Sequence, residues 1–242
     1  ALIWFCGTVP VTLLLLRAFP QPYGWLPDGA RAAPGEIANI SGTPLAEAVR
    51  SRFYKAVTFG YIFALGAQVG GALQLVKLVE ERTDRSTATL ATIVLSTMSI
   101  LSRFAAGRII PKINMTRFTV GLAGLQGISL ASLGLINNRI GLLIAIGLFG
   151  VTIGNMVMMQ SLLLAERFGV RDYPKIAARS GLISFSGTAL GPLLLGWLYD
   201  VAGGYRSSYL AAGACSIIGA ILFSFAGSAS VASTEVASAQ SQ

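Results

Sequence analysis

Apolar residues run in seven stretches, at 1–19, 53–79, 87–110, 118–136, 140–165, 177–200 and 206–226. A bilayer core of about 30 Å takes about 20 residues of helix, so each stretch predicts a transmembrane helix. The predicted fold class is an all-α polytopic membrane protein with seven transmembrane helices. Polar interruptions are short: Asn137, Asn138 and Arg139 part the fourth and fifth stretches, and Val201 to Tyr205 part the sixth and seventh. Such connections make their flanking helices antiparallel neighbours.

Only residues 20–52 form a long connection, broken by Pro20, Pro22, Pro27, Pro34 and Pro44, and they read as a cytoplasmic linker. Within it Thr43, Pro44 and Glu47 predict a helix start, with a capping side chain, a proline at the first position and an acid in the first turn. That helix is expected to lie on the cytoplasmic face and to carry Arg50, Arg52 and Lys55 to lipid phosphates. Residues 227–242 are small and polar and read as a disordered cytoplasmic tail.

Composition sharpens the picture. Hydrophobic residues make up 54% of the 242 and charged residues only 12%, about half of what a water-facing surface carries. The chain has no histidine, which removes the usual metal ligand and proton carrier. Cys6 and Cys215 sit in apolar runs, where they pack as small hydrophobes. The net charge of +8 is not a nucleic-acid signal, because the basic residues lie between spans and not on one clustered face.

Sorted by alternate loops, thirteen of the 18 Lys and Arg residues fall on one side and five on the other. The positive-inside rule places the first group in the cytoplasm, so the chain starts outside and ends inside, in a plasma (inner) membrane. Ala1 is not an initiator methionine, and Arg17 follows its apolar run where a signal peptide has its charge first. The sequence therefore reads as starting within a helix of a longer protein. There is no nucleophile-base set, metal cluster or phosphate loop, and neither enzyme activity nor a cofactor is expected.

A weak internal repeat joins the third and sixth stretches. Gly107, Pro111 and Asn114 have the spacing of Gly196, Asp200 and Gly203, and a small residue, Ser102 or Gly191, precedes each glycine by five. Similar endings on spans three apart, hence on opposite membrane faces, are what a three-plus-three inverted repeat predicts. Gly66 with Gly70, Gly150 with Gly154, and Gly187 with Gly191 have the spacing that lets helix backbones approach in lipid. Pro192 predicts a kink.

These residues resemble a known family. Ser102, Arg103 and Gly107 ending one span, Gly147, Phe149, Gly150 and Gly154 in another, and Phe168, Gly169, Asp172 and Tyr173 after it form three parts of the pattern. The fourth runs from Gly191 and Pro192 through Gly196, Asp200 and Gly203 to Tyr205. Together they resemble the C-terminal half of the major facilitator superfamily, in the branch of monocarboxylate transporters and oxalate-formate antiporters. Residues 44–53 are similar to that family's lead-in to its seventh helix. The resemblance implies helices six to twelve of twelve. Residues 1–19 would end an N-terminal bundle and 53–226 would form the C-terminal six-helix bundle, with five helices supplied by the same or a separate chain. It also implies alternating access to a site near the bilayer midplane and a small organic anion as substrate.

Arg103 lies within the third stretch, where a charge is costly and faces a polar pathway. The resemblance implies that it binds a substrate carboxylate, which a guanidinium pairs through two donors. Ser99 stands where monocarboxylate carriers have an aspartate, so that acid's proton-linked role does not carry over. The sixth stretch lacks the antiporters' interior lysine, which makes a dicarboxylate less fitting. Uncharged polar residues near mid-span complete the candidate site: Tyr61 and Gln68 on one face, Asn155 and Gln160, and Ser184 with Ser186. Gly107, Arg108, Gly150, Gly154, Gly191, Pro192, Gly196 and Asp200 are the candidate gating and helix-packing residues. Met156, Met158 and Met159 read as packing, and Gln126 and Ser129 as lying outside the site. The competing reading is a non-transporting scaffold or assembly subunit of a larger membrane complex. A seven-helix retinal protein fits poorly, because the last stretch has no lysine.

Overall fold

A computed structural model of the chain describes residues 42–229. The predicted first helix at 1–19, most of the linker, and the tail from 230 lie outside the described residues. Seven α-helices follow in order: α1 (Leu45–Arg50), α2 (Arg52–Arg82), α3 (Arg85–Ile109), α4 (Met115–Leu135), α5 (Arg139–Phe168), α6 (Tyr173–Ala202) and α7 (Tyr205–Ser224). All but α1 are long and apolar enough to cross a membrane. This is the all-α architecture of a multi-pass membrane protein.

All six long helices start before their apolar stretches, and α2, α5 and α6 run past the ends of theirs, because capping groups as well as hydropathy set where a helix begins and stops. Ser51, Asp84, Asn114 and Asn138 each accept the backbone N–H three residues on, from Tyr54, Thr87, Arg117 and Gly141 respectively. Gly169 and Gly203 close α5 and α6 with φ of 68° and 70°, a conformation glycine adopts without strain. Helix α6 runs unbroken through Pro192.

The start of α1 corrects the expected cap. Pro44, not Thr43, is the N-cap residue and has no side-chain bond of its own. Asp172, 127 residues away, accepts the Leu45 N–H at 3.0 Å instead. Thr43 donates its N–H to the Phe168 carbonyl at 2.8 Å, and Gly42 pairs with Gly169 in an isolated antiparallel bridge. Ala48 is buried, and Phe53 meets Phe168 edge to face with ring centres 5.9 Å apart. The chain leading into α2 is thus strapped to the turn between α5 and α6.

Packing among the six long helices has an internal symmetry. α2 packs on α6 as α5 packs on α3, and α2 packs on α7 as α5 packs on α4, while α4 and α7 pack on each other. Exchanging α2, α3 and α4 for α5, α6 and α7 leaves these pairings unchanged, although α6 also packs on α7 where α3 makes no comparable contact with α4. The close crossings are built alike. Cβ atoms on Gly187 and Gly191 would collide with the carbonyls of Ile62 and Gly66, and those on Gly150 and Gly154 would stand 2.7 and 2.6 Å from the carbonyls of Leu95 and Ser99.

Two apolar cores fill the bundle. One includes Tyr61, Leu65, Ala106, Ala123, Met156, Ile176 and Ala220, and the other Ala67, Ala91, Leu130, Phe149, Leu195 and Ala212. Near the change from one core to the other, every long helix buries a polar residue: Gln68, Ser99, Gln126, Thr152 with Asn155, Ser184, and Ser216. α3 and α6 differ from the rest, with only 22% of their apolar windows buried against 44–56% in the other four. Leu101 and Phe104 on α3, and Leu182, Leu193 and Trp197 on α6, are exposed.

Candidate functional site

Arg103 projects from the sparsely covered helix α3 and is exposed. Its Nε–H donates to the Gly154 carbonyl on α5 at 3.0 Å. That contact works because Gly154 has no side chain; a Cβ there would stand 3.0 Å from the Arg103 Cγ. The terminal nitrogens of the guanidinium have no partner among the described residues, so both remain available to a planar anion. Asn155, next to the carbonyl that holds Arg103, is 1% exposed. It donates to Val151 O at 2.9 Å, while its Oδ1 is buried without a partner.

Gln160 and Ser184 come together in a different way. Gln160 Nε2 donates to Ser184 Oγ at 3.0 Å and to Ser180 Oγ at 3.3 Å. Ser184 Oγ in turn donates to the Thr58 carbonyl at 3.1 Å, and the Thr58 and Ser180 hydroxyls lie 2.9 Å apart. This network joins α2, α5 and α6. Ser186 is exposed and bonds the Ile183 carbonyl of its own helix at 2.7 Å. Tyr61 is fully buried, donates its hydroxyl to Met156 O at 3.0 Å and packs on Phe223 at 4.8 Å between ring centres. Gln68 is 6% exposed, with an unpartnered Oε1.

The small residues divide into two sets. Gly66 and Gly70 of α2 face Gly187 and Gly191 of α6, while Gly150 and Gly154 seat α5 on α3. Gly107 has nothing within 4 Å of a built Cβ, and Gly196 only the Gln74 amide at 3.7 Å. Arg108 and Asp200 are exposed at helix ends. Met156 and Met159 are fully buried and Met158 packs against the same core.

Several functional groups escape a reading of the sequence. Thr58 and Ser180 complete the Gln160 network; Ser180 and Ser184, four apart on α6, are the pattern that carries its signal. Gln126 Nε2 donates to Ala64 O at 2.9 Å and Ser216 Oγ at 3.0 Å, tying α4 to α2 and α7. Arg82 donates to the carbonyls of Leu133, Gly134 and Ile136 and so caps the far end of α4. Asp172 is held below the usual carboxylate range chiefly by the Leu45 N–H, then by Lys175.

No protein-family model matches the chain, and no curated protein does.

Proposed function

We propose that the protein is a transporter of the major facilitator type that moves a small, monocarboxylate-like organic anion across a plasma (inner) membrane by alternating access. The observation that carries this reading is the set of main pairings, α2 on α6 and α7, that recurs as α5 on α3 and α4 when one three-helix unit is exchanged for the other, together with two related helices, α3 and α6, left sparsely covered. Inverted repeats that bracket a midplane site are the construction of secondary transporters. In this reading the bare faces of α3 and α6 meet a second bundle, from preceding residues or another chain. The substrate sits between the bundles, where Arg103 pairs its carboxylate. The polar residues between the two apolar cores place hydrogen-bonding groups at mid-depth, near Arg103 through Asn155. The loop face richer in Lys and Arg is cytoplasmic.

The test is uptake of radiolabelled short monocarboxylates into proteoliposomes containing the protein. Arg103→Ala is expected to abolish uptake while the protein stays folded by size exclusion and circular dichroism, and Arg103→Lys to retain a fraction. Unchanged uptake in the folded alanine variant refutes the assignment of Arg103.

A further inference from the structure

On the face that carries α1, a groove of about 380 Å³ opens between the start of α2 and the end of α7, lined by Arg50, Arg52, Lys55, Phe59, Leu222 and Phe225. Its rim is basic and its floor apolar. Lys55 and Phe59 are one turn apart on α2, and Leu222 and Phe225 form the facing wall, so charge gives way to hydrocarbon along the helix axes. Phe59 and Phe225 are 51% and 55% exposed. The Arg52 guanidinium lies 5.9 Å above the Phe225 ring, which holds it over the groove. Among the described residues the only ion pair is Lys175 with Asp172, so none of the three cations is neutralised by a neighbouring acid.

We infer that this groove is a binding site for one anionic phospholipid, with its phosphate headgroup between Arg50, Arg52 and Lys55 and an acyl chain along Phe59, Leu222 and Phe225. Charge complementarity selects the headgroup. The change from basic rim to apolar floor selects a membrane amphiphile over a soluble phosphate, since a free anion has no use for the aromatic floor. A single basic residue within reach of the headgroup favours an anionic lipid about fivefold. The inference does not depend on transport; it rests on the groove alone.

The experiment measures spin-labelled phosphatidylglycerol and phosphatidylcholine at the protein in phosphatidylcholine bilayers, by the motionally restricted component of the electron paramagnetic resonance spectrum. The wild-type protein is expected to prefer phosphatidylglycerol at least about fivefold, the contribution of one cation, less at high salt, with no displacement by millimolar glycerol phosphate. Neutralising the rim together (R50Q, R52Q and K55Q) brings the preference close to one. Removing equal charge elsewhere on the same face (R108Q, K112Q and R117Q) leaves it intact, and F59A with F225A weakens retention of both lipids. Three results overturn the inference. One is no anionic preference in the wild-type protein, which means another protein segment covers the groove. The second is equal loss in both charge variants, which reduces the effect to net surface charge. The third is displacement by glycerol phosphate, which assigns the groove to a soluble ligand. The wild-type measurement stands even where a variant does not fold.

Discussion

Replacing Gly191 by alanine tests the α2–α6 crossing directly. A Cβ at Gly191 would overlap the Gly66 carbonyl oxygen and stand 2.6 Å from its carbon and 2.8 Å from the Gly66 Cα. Carbon atoms rest about 3.5–4.0 Å apart, so the helices must part by roughly 1 Å. Neither side of the contact is the flexible end of a side chain; both are backbone. Separation also loosens Gly70 against Gly191 and stretches the Thr58 to Ser180 hydrogen bond of 2.9 Å. Overpacking of this kind costs about 1–3 kcal/mol. Gly107 supplies the control: its Cβ would meet nothing within 4 Å, so Gly107→Ala only removes backbone freedom and stabilises α3 by roughly 0.5–1 kcal/mol. The assay is unfolding of the purified protein in mixed micelles by titration with dodecyl sulfate, followed by far-ultraviolet circular dichroism. The two alanines are expected to shift the midpoint in opposite directions. A Gly191→Ala protein within roughly 0.5 kcal/mol of wild type, the range of an uninvolved surface substitution, would refute close backbone contact at this crossing.

Two further outcomes follow from the turns on the face away from α1. Asp84 accepts from Thr87 N at 2.9 Å and Ser86 Oγ at 2.7 Å, and bonds from Thr87 and then Ser86 hold its carboxyl down to about 2. Because the folded value is depressed, its contribution to stability is complete above about pH 4, the unfolded value, and is lost as the pH falls through about 2. The carboxyl carbon shift of Asp84 is therefore expected to titrate near 2, and a midpoint near 4 would mean that the capping bonds do not hold. Arg82→Met removes the donors to three carbonyls at the end of α4 and should lower stability by about 2–3 kcal/mol. Arg82→Lys should recover only part of this, since an ammonium lacks the guanidinium fork. Full stability of the methionine variant in the dodecyl sulfate titration would show that water covers that helix end equally well.

The six described spans were legible because an apolar run of some twenty residues has few other uses. Their ends were not, since Arg82 and Phe168 belong to helices that close on Thr83 and Gly169, which hydropathy ignores. The Thr43 cap failed for a related reason: local spacing cannot register Asp172, which reaches Leu45 from a turn far along the chain. Glycine spacing announced close packing, yet only the fold pairs Gly66 and Gly70 with Gly187 and Gly191. The same limit applies to the polar residues. Gln160 and Ser184 stand out in apolar runs, but whether they face a pathway or each other depends on how α5 and α6 are rotated, and they bond each other. Gln126, read as outside the site, holds three helices together. Arg103 was conspicuous as a charge within a span, and its bond to Gly154 was not, because a backbone carbonyl leaves no mark in a sequence.

A unit of three membrane-crossing helices has an odd number of crossings, so a second unit of the same kind following it would stand upside down. The skeleton of small residues must therefore work in either orientation, whereas the charges that set orientation must not be copied. The ending at Gly107 is followed by Arg108, Lys112 and Arg117, while that at Gly196 meets Asp200 and no cation before Arg206. Glycines at matched spacing suit a three-helix unit standing either way up, whereas the cations distinguish one ending from the other.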